Sequence, residues 1–132
     1  MIDHFGFPVS NYTRSKTFYE KVLAPLGYGL VMEMDKNRFG APAAGFGPDG
    51  KPIFWIGGEG GLNRELHVAF VAKDRAAVDA FHKAAIACGA MDNGAPGLRP
   101  HYGENYYAAF VLDADGHNIE AVCNVPEHQK TS

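Results

Sequence analysis

Two halves of this chain repeat each other, and that repeat limits the fold more than any other feature. His4 and His67 stand 63 positions apart, and Phe18 and Phe81 share the spacing. Gly50 and Gly116 stand 66 apart, as do Phe54 and Glu120. The larger second offset fits a longer irregular segment in the second half. One such module is too small to bury its own sheet face, so two must pack together. At 132 residues the chain is read as one domain, residues 1–132, with modules at about 1–57 and 63–125.

Each half reads strand, helix, then about three strands. An apolar strand over 2–9 leads to Asn11, a helix cap, and a helix over 12–24. Phe18, Tyr19, Val22, Leu23 and Leu26 mark its buried side at spacings of three and four. Pro25 and Gly27 end it. Strands are predicted over 28–34, 38–46 and 52–56, with a turn at Gly47-Pro48-Asp49-Gly50-Lys51. The glycines of Gly57–Gly61 form the linker. The second half gives a strand over 64–71, a helix over about 75–88 capped by Asp74 and stopped by Gly89, and strands over 105–112 and 117–123. Residues 90–104 read as irregular, with room for one short strand. The expected class is α+β: two paired βαβββ modules forming a cupped mixed sheet around a cavity.

Composition excludes several functions. A net charge of -3 and a pI near 6.0 leave no basic footprint for nucleic acid. No apolar run reaches the length of a membrane span, and Met1-Ile2-Asp3-His4 does not begin a signal peptide. Cys88 and Cys123 are far apart in apolar contexts, which points to reduced core thiols and a cytoplasmic protein.

Three polar residues interrupt apolar strands: His4, His67 and Glu120. A buried carboxylate is costly unless it is paired or bound to metal. Singly, each histidine reads as a core histidine bonded to a carbonyl, and Glu120 as a half-exposed edge residue. Under one internal symmetry the three fall at related positions, with Phe54 at the fourth. Two histidines and a carboxylate with open positions suit a divalent metal: Fe, Mn, Ni, Co or Zn. Open positions let a substrate chelate the metal.

These residues carry a family resemblance over nearly the whole chain. Its markers are His4, Phe18-Tyr19-Glu20-Lys21-Val22-Leu23, His67, and Phe110-Val111-Leu112-Asp113-Ala114-Asp115-Gly116-His117-Asn118-Ile119-Glu120. The last is close to the pattern F-x-D-P-D-G-x-x-x-E, with Ala114 where proline is usual. The chain resembles the vicinal oxygen chelate superfamily, which includes glyoxalase I, bleomycin-resistance proteins, extradiol dioxygenases and fosfomycin-resistance enzymes. The resemblance implies the glyoxalase-like fold, one divalent metal held by His4, His67 and Glu120, and a homodimer. It leaves open whether one chain or two build the site. Glyoxalase I enzymes place a fourth carboxylate near Phe54. The fosfomycin thiol transferases carry a catalytic threonine where Gly6 stands. Extradiol dioxygenases are usually larger chains.

If Glu120 points inward, Asn118 and Val122 share its face. On the neighbouring strand Tyr106, with Ala108 and Phe110 on its face, is favoured as lining the cavity over the residues that alternate with them. Arg99-Pro100-His101-Tyr102-Gly103-Glu104-Asn105-Tyr106-Tyr107 is dense in proton donors and anion binders. It would supply a general acid or base, His101 or Tyr106, and an anion anchor, Arg99. The plainer alternative is an ordinary surface loop. Trp55 and the Gly57–Gly61 loop are assigned to the pocket mouth. The expected function is a metal-dependent enzyme acting on a small oxygen-chelating substrate, either a glyoxalase-like lyase or isomerase or a dioxygenase. The rival is a metal-free protein that sequesters a drug or metabolite, of bleomycin-resistance type.

Overall fold

Asn11 turns the end of the first strand into a helix. Its side chain accepts from the Arg14 N–H at 3.0 Å, satisfying an amide that the first helical turn leaves free. The computed structural model describes residues 2–36, 41–58 and 66–127. In the first module β1 (Phe5–Val9) leads to α1 (Tyr12–Leu23), then β2 (Gly29–Met34), β3 (Ala43–Gly47) and β4 (Phe54–Gly58). The second module repeats this with β5 (His67–Val71), α2 (Arg75–Ala87), β6 (Met91–Leu98), β7 (Tyr107–Leu112) and β8 (Asn118–Cys123). Asp74 caps α2 by accepting from Ala77 N–H at 2.8 Å. Gly89 ends α2 and Gly27 ends the 3-10 turn Ala24–Leu26 that follows α1, both in the left-handed conformation, at φ 91° and 85°. The α+β architecture of paired βαβββ modules is the expected one.

The strands form two four-stranded sheets, ordered β1-β4-β3-β2 and β5-β8-β7-β6. In each, the first and last strands of the module pair in parallel and the other pairs are antiparallel. Among the described residues no strand pairing joins the two sheets. One face of each sheet packs on the helices. Phe54 of β4 and Phe70 of β5 meet there with ring centroids 5.3 Å apart. The other face is open: Met32 and Met34 are exposed on one sheet, Val71 on the other. No helix among the described residues is long and apolar enough to cross a membrane.

Two expectations fail in detail. Residues 91–98 are a full strand rather than an irregular segment. Gly94, Pro96 and Gly97 disguise it. It lies at a sheet edge with register shifts around Gly94, and there a proline need not donate to a ladder. Second, Phe54 does not face the open side. It is fully buried against Phe5, Phe7, Tyr19 and Phe70. Trp55 takes the place expected of it. Trp55 pairs with Gly6 and Gly45, as Glu120 pairs with Ala69 and Phe110. The first module has one more residue between its turn glycine and this position: Gly50 to Trp55 against Gly116 to Glu120. In a strand a one-residue slip exchanges the faces.

Candidate metal centre

His67 opens β5, an edge strand, and its ring stands on the open face of the second sheet. Strand pairing brings Glu120 of β8 beside it, and Nε2 of His67 lies 3.0 Å from Oε1 of Glu120. Nδ1 of His67 lies 3.2 Å from the carbonyl oxygen of Asn118. A carbonyl only accepts, so this contact assigns the ring proton to Nδ1. Phe110 stacks on the imidazole, with centroids 6.3 Å apart and planes 21° apart.

Glu120 is 2% exposed, in a strand whose other residues from Ile119 to Cys123 are all apolar and buried. Its Oε2 accepts a short hydrogen bond from the hydroxyl of Tyr106. Burial, and then the carboxylate it bonds to, push the Tyr106 phenol up to about 12. The phenol therefore stays protonated and acts as a donor to Glu120.

With the proton on Nδ1, a neutral His67 turns the Nε2 lone pair toward a carboxylate oxygen. Two lone pairs at that distance require a cation between them, either a proton or a metal. A metal-binding histidine characteristically gives its other N–H to a carbonyl or carboxylate, as Nδ1 does here. Two donors on one cation at about 2.1 Å, meeting at a right angle, stand about 3.0 Å apart. The pair therefore fits a divalent metal.

His4 is not part of this pair. It precedes β1 on the other sheet, is exposed, and contacts Asp3 at 2.9 Å; Asp3 also binds Lys51 at 2.9 Å. His4 borders a cavity of about 1050 Å³ on the open face of the first sheet. Among the described residues no three His, Cys, Asp or Glu side chains converge as a metal site within the chain.

The β6–β7 loop lies beside Glu120. Arg99 N–H donates to Tyr106 O at 2.8 Å, and Tyr106 N–H to Gly103 O at 3.2 Å. The Arg99 guanidinium donates to the carbonyls of Gly97 (2.8 Å) and Ala95 (2.9 Å) and lies 5.4 Å over the Phe110 ring. A side chain at Gly94 or Gly97 would crowd it. His101 is exposed and packs on Tyr102, whose ring packs on Tyr106 at 5.3 Å. Of the loop residues expected at the site, Tyr106 alone contacts the His67–Glu120 pair. Arg99 reaches it through Phe110, and His101 through two tyrosine rings.

The model of the Glyoxalase/Bleomycin resistance protein/Dioxygenase superfamily matches residues 1–121. The chain belongs to that superfamily. No curated protein sequence matches it. A glyoxalase/bleomycin resistance protein from Albidiferax ferrireducens T118 superposes with TM-score 0.75 at 26% identity, covering 94% of this chain and 98% of that one. Glyoxalase I from Zea mays superposes with TM-score 0.69 at 23% identity, over 92% of this chain and 45% of the maize chain. The fosfomycin resistance protein FosX from Listeria monocytogenes, solved with Mn(II) and 1S,2S-dihydroxypropylphosphonic acid, gives TM-score 0.66 at 15% identity, over 92% of this chain and 88% of that one.

In this glyoxalase-superfamily chain the sequence placed Phe110 and Asn118 on the site's face but did not show their roles: Phe110 braces His67, and Asn118 supplies the carbonyl that orients it. Trp55 lies in the middle of the first sheet's open face rather than at a mouth. The glycines Gly6 and Gly45 on either side of it were the available signal. Residues 38–40 of the expected third strand, residues 59–61 of the glycine-rich loop and residues 64–65 of the strand expected over 64–71 lie outside the described residues. Buried His117 belongs to the turn: its Nδ1 accepts from Leu66 N–H at 3.4 Å, and its own N–H donates to Asp113.

Proposed function

We propose that this chain is a divalent-metal enzyme acting on a small oxygen-chelating substrate, with glyoxalase-like lyase or isomerase chemistry or dioxygenase chemistry. The observation that carries the reading is the contact between His67 Nε2 and Glu120 Oε1, with Nδ1 committed to a carbonyl. His67 and Glu120 would hold the metal together with His4 of a second copy, in a homodimer. The metal, when bound, supplies Lewis-acid stabilisation of negative charge on a chelated oxygen. The protein's share is positional. Tyr106 fixes the Glu120 carboxylate, and Asn118 and Phe110 fix the imidazole. Arg99 holds Phe110 in place. His101, at the outer end of the tyrosine row, is the acid or base left for a substrate that reaches the rim.

The dimer reading has its own support. His4 and His67 are equivalent in the repeat, yet lie on different sheets of one chain. Among the described residues β1 and β5, which they precede and open, are both edge strands, and an edge strand is a template for pairing with another chain. Apposing β1 of one copy with β5 of another would bring His4 to the pair.

The rival is the metal-free sequestering protein. One observation favours it: only two of the three expected ligands meet within the chain, and a shared proton can close that pair.

The experiment that separates these readings measures metal in protein purified without added metal. About one metal per chain is expected, lost in His4→Ala and in Glu120→Gln. Unfolding the two variants together and refolding should then restore metal to about a quarter of the sites. Half of the dimers are mixed, and each mixed dimer rebuilds one intact site. No restoration would place the site within one chain, and no metal in wild type even in excess would leave the sequestering reading.

A further inference from the structure

We infer that Trp55 is the floor of a subsite for a flat, uncharged aromatic portion of the ligand. This deepens the function proposed above and rests on it only for the chelating end of that ligand.

Trp55 holds, in the first sheet, the register position that Glu120 holds in the second. The duplicated module thus carries an indole where its twin carries a carboxylate. The neighbours differ to match. Glu120 lies between Ala69 and Phe110, whereas Trp55 lies between two glycines. A Cβ on Gly45 would stand 2.9 Å from Cζ2 and 3.0 Å from Cε2 of the indole. A Cβ on Gly6 would stand 2.6 Å from the Trp55 carbonyl oxygen and 2.7 Å from its Cβ. Real side chains do not come so close. The indole is therefore laid down against β3, and any larger residue at position 45 must lift it.

The cavity over this ring is large enough for a ligand of two or three fused rings. Met32, Met34, Pro8 and Ala43 line it, and thioethers adapt to varied apolar shapes. Its charged groups, Asp3 and Lys51, pair with each other beside His4. The polar groups thus gather around the residue proposed as a metal ligand. The remainder suits an apolar ring stacked on the indole. A ligand with an oxygen-bearing head near His4 and a planar body over Trp55 matches that division.

Trp55 is the chain's single tryptophan, so tryptophan emission, excited selectively over the tyrosines, reads this subsite alone. Full-length protein would be titrated with 2,3-dihydroxynaphthalene, and with glycolate as a chelator that has no ring. The naphthalene should quench and shift the emission, and glycolate should not. Trp55→Leu should weaken naphthalene binding, read by the probe's own emission, about tenfold or more. Trp55→Phe should recover most of that loss. Gly45→Val, which keeps the indole but lifts it, should reproduce the loss if Trp55→Leu does not fold. The same titration in excess EDTA keeps the two readings apart. Quenching that survives there supports the subsite even if no metal is ever found. An emission unmoved by the naphthalene, in protein that does bind metal, would overturn the subsite and leave the metal centre standing. Equal affinity of Trp55→Leu and wild type for the naphthalene would also overturn it.

Discussion

Glu120→Gln should reduce metal affinity by at least about a hundredfold and should modestly lower the stability of the metal-free protein. A carboxylate that ligates contributes charge as well as a lone pair, so its loss should exceed the tenfold to hundredfold cost typical of a supporting residue. Tyr106→Phe, which removes only the donor to Oε2, should fall within that smaller range. The stability half of the prediction follows from the His67–Glu120 contact. Without metal, a proton must lie between Nε2 and Oε1, which stand 3.0 Å apart. Glutamine can turn its amide N–H toward Nε2 and still accept from Tyr106 through its carbonyl, but that bond carries no charge. The substitution therefore replaces a charge-assisted bond by a neutral one and should cost the metal-free protein no more than about 1.5–3 kcal/mol. Metal content and thermal melts in EDTA, measured on the two variants, check both halves. Wild-type metal affinity in Glu120→Gln would count against the metal centre.

What the sequence shows and what it hides can be seen at single residues. The helices are legible because Asn11 and Asp74 cap them, glycines end them, and their apolar residues recur at three and four. His67 and Glu120 meet because both are polar interruptions in apolar strands of one module, and those two strands pair in parallel. The partnership of His4 is another matter. It depends on what the edges of β1 and β5 contact, and side-chain periodicity along a strand carries no record of that. The exchange of Phe54 for Trp55 comes from one added residue after a turn. A repeat aligned by its turn glycine counts residues, whereas a sheet counts in twos. Edge strand β6 was hidden because composition there reports bulges and a proline, both of which an edge tolerates. Arg99 shows the limit of reading by residue type: a guanidinium suited to an anion instead donates to carbonyls of its own strand.

Asp113→Ala should be the most destabilising single change, costing about 3–5 kcal/mol in urea denaturation. The Asp113 carboxylate is buried. Its Oδ2 accepts from the Tyr19 hydroxyl at 2.6 Å, and Oδ1 accepts from Asp115 N–H at 3.0 Å and His117 N–H at 2.9 Å. One side chain thus closes the turn before β8 and fastens it to α1 of the other module. Alanine would leave the Tyr19 hydroxyl buried without an acceptor, and desolvated groups of this kind are expensive. Asp113→Asn keeps an acceptor and should cost less than half as much. Because β8 begins just after this turn, Asp113→Ala should also weaken metal binding, whereas Tyr19→Phe should weaken stability more than metal affinity. A loss below about 1 kcal/mol would show that packing, not this carboxylate, holds the modules together. The Tyr19 side gives an independent test. Burial, and then Asp113, raise its phenol well above the ordinary tyrosine value, as burial also raises Tyr106 and Tyr107 to about 12. For such groups the folded state holds its proton where the unfolded chain has lost it. Their contribution is therefore complete below about pH 10 and declines as pH rises further, so stability should fall between about pH 10 and 12. Tyr19→Phe should flatten that decline, because it removes the most deeply buried of the three phenols.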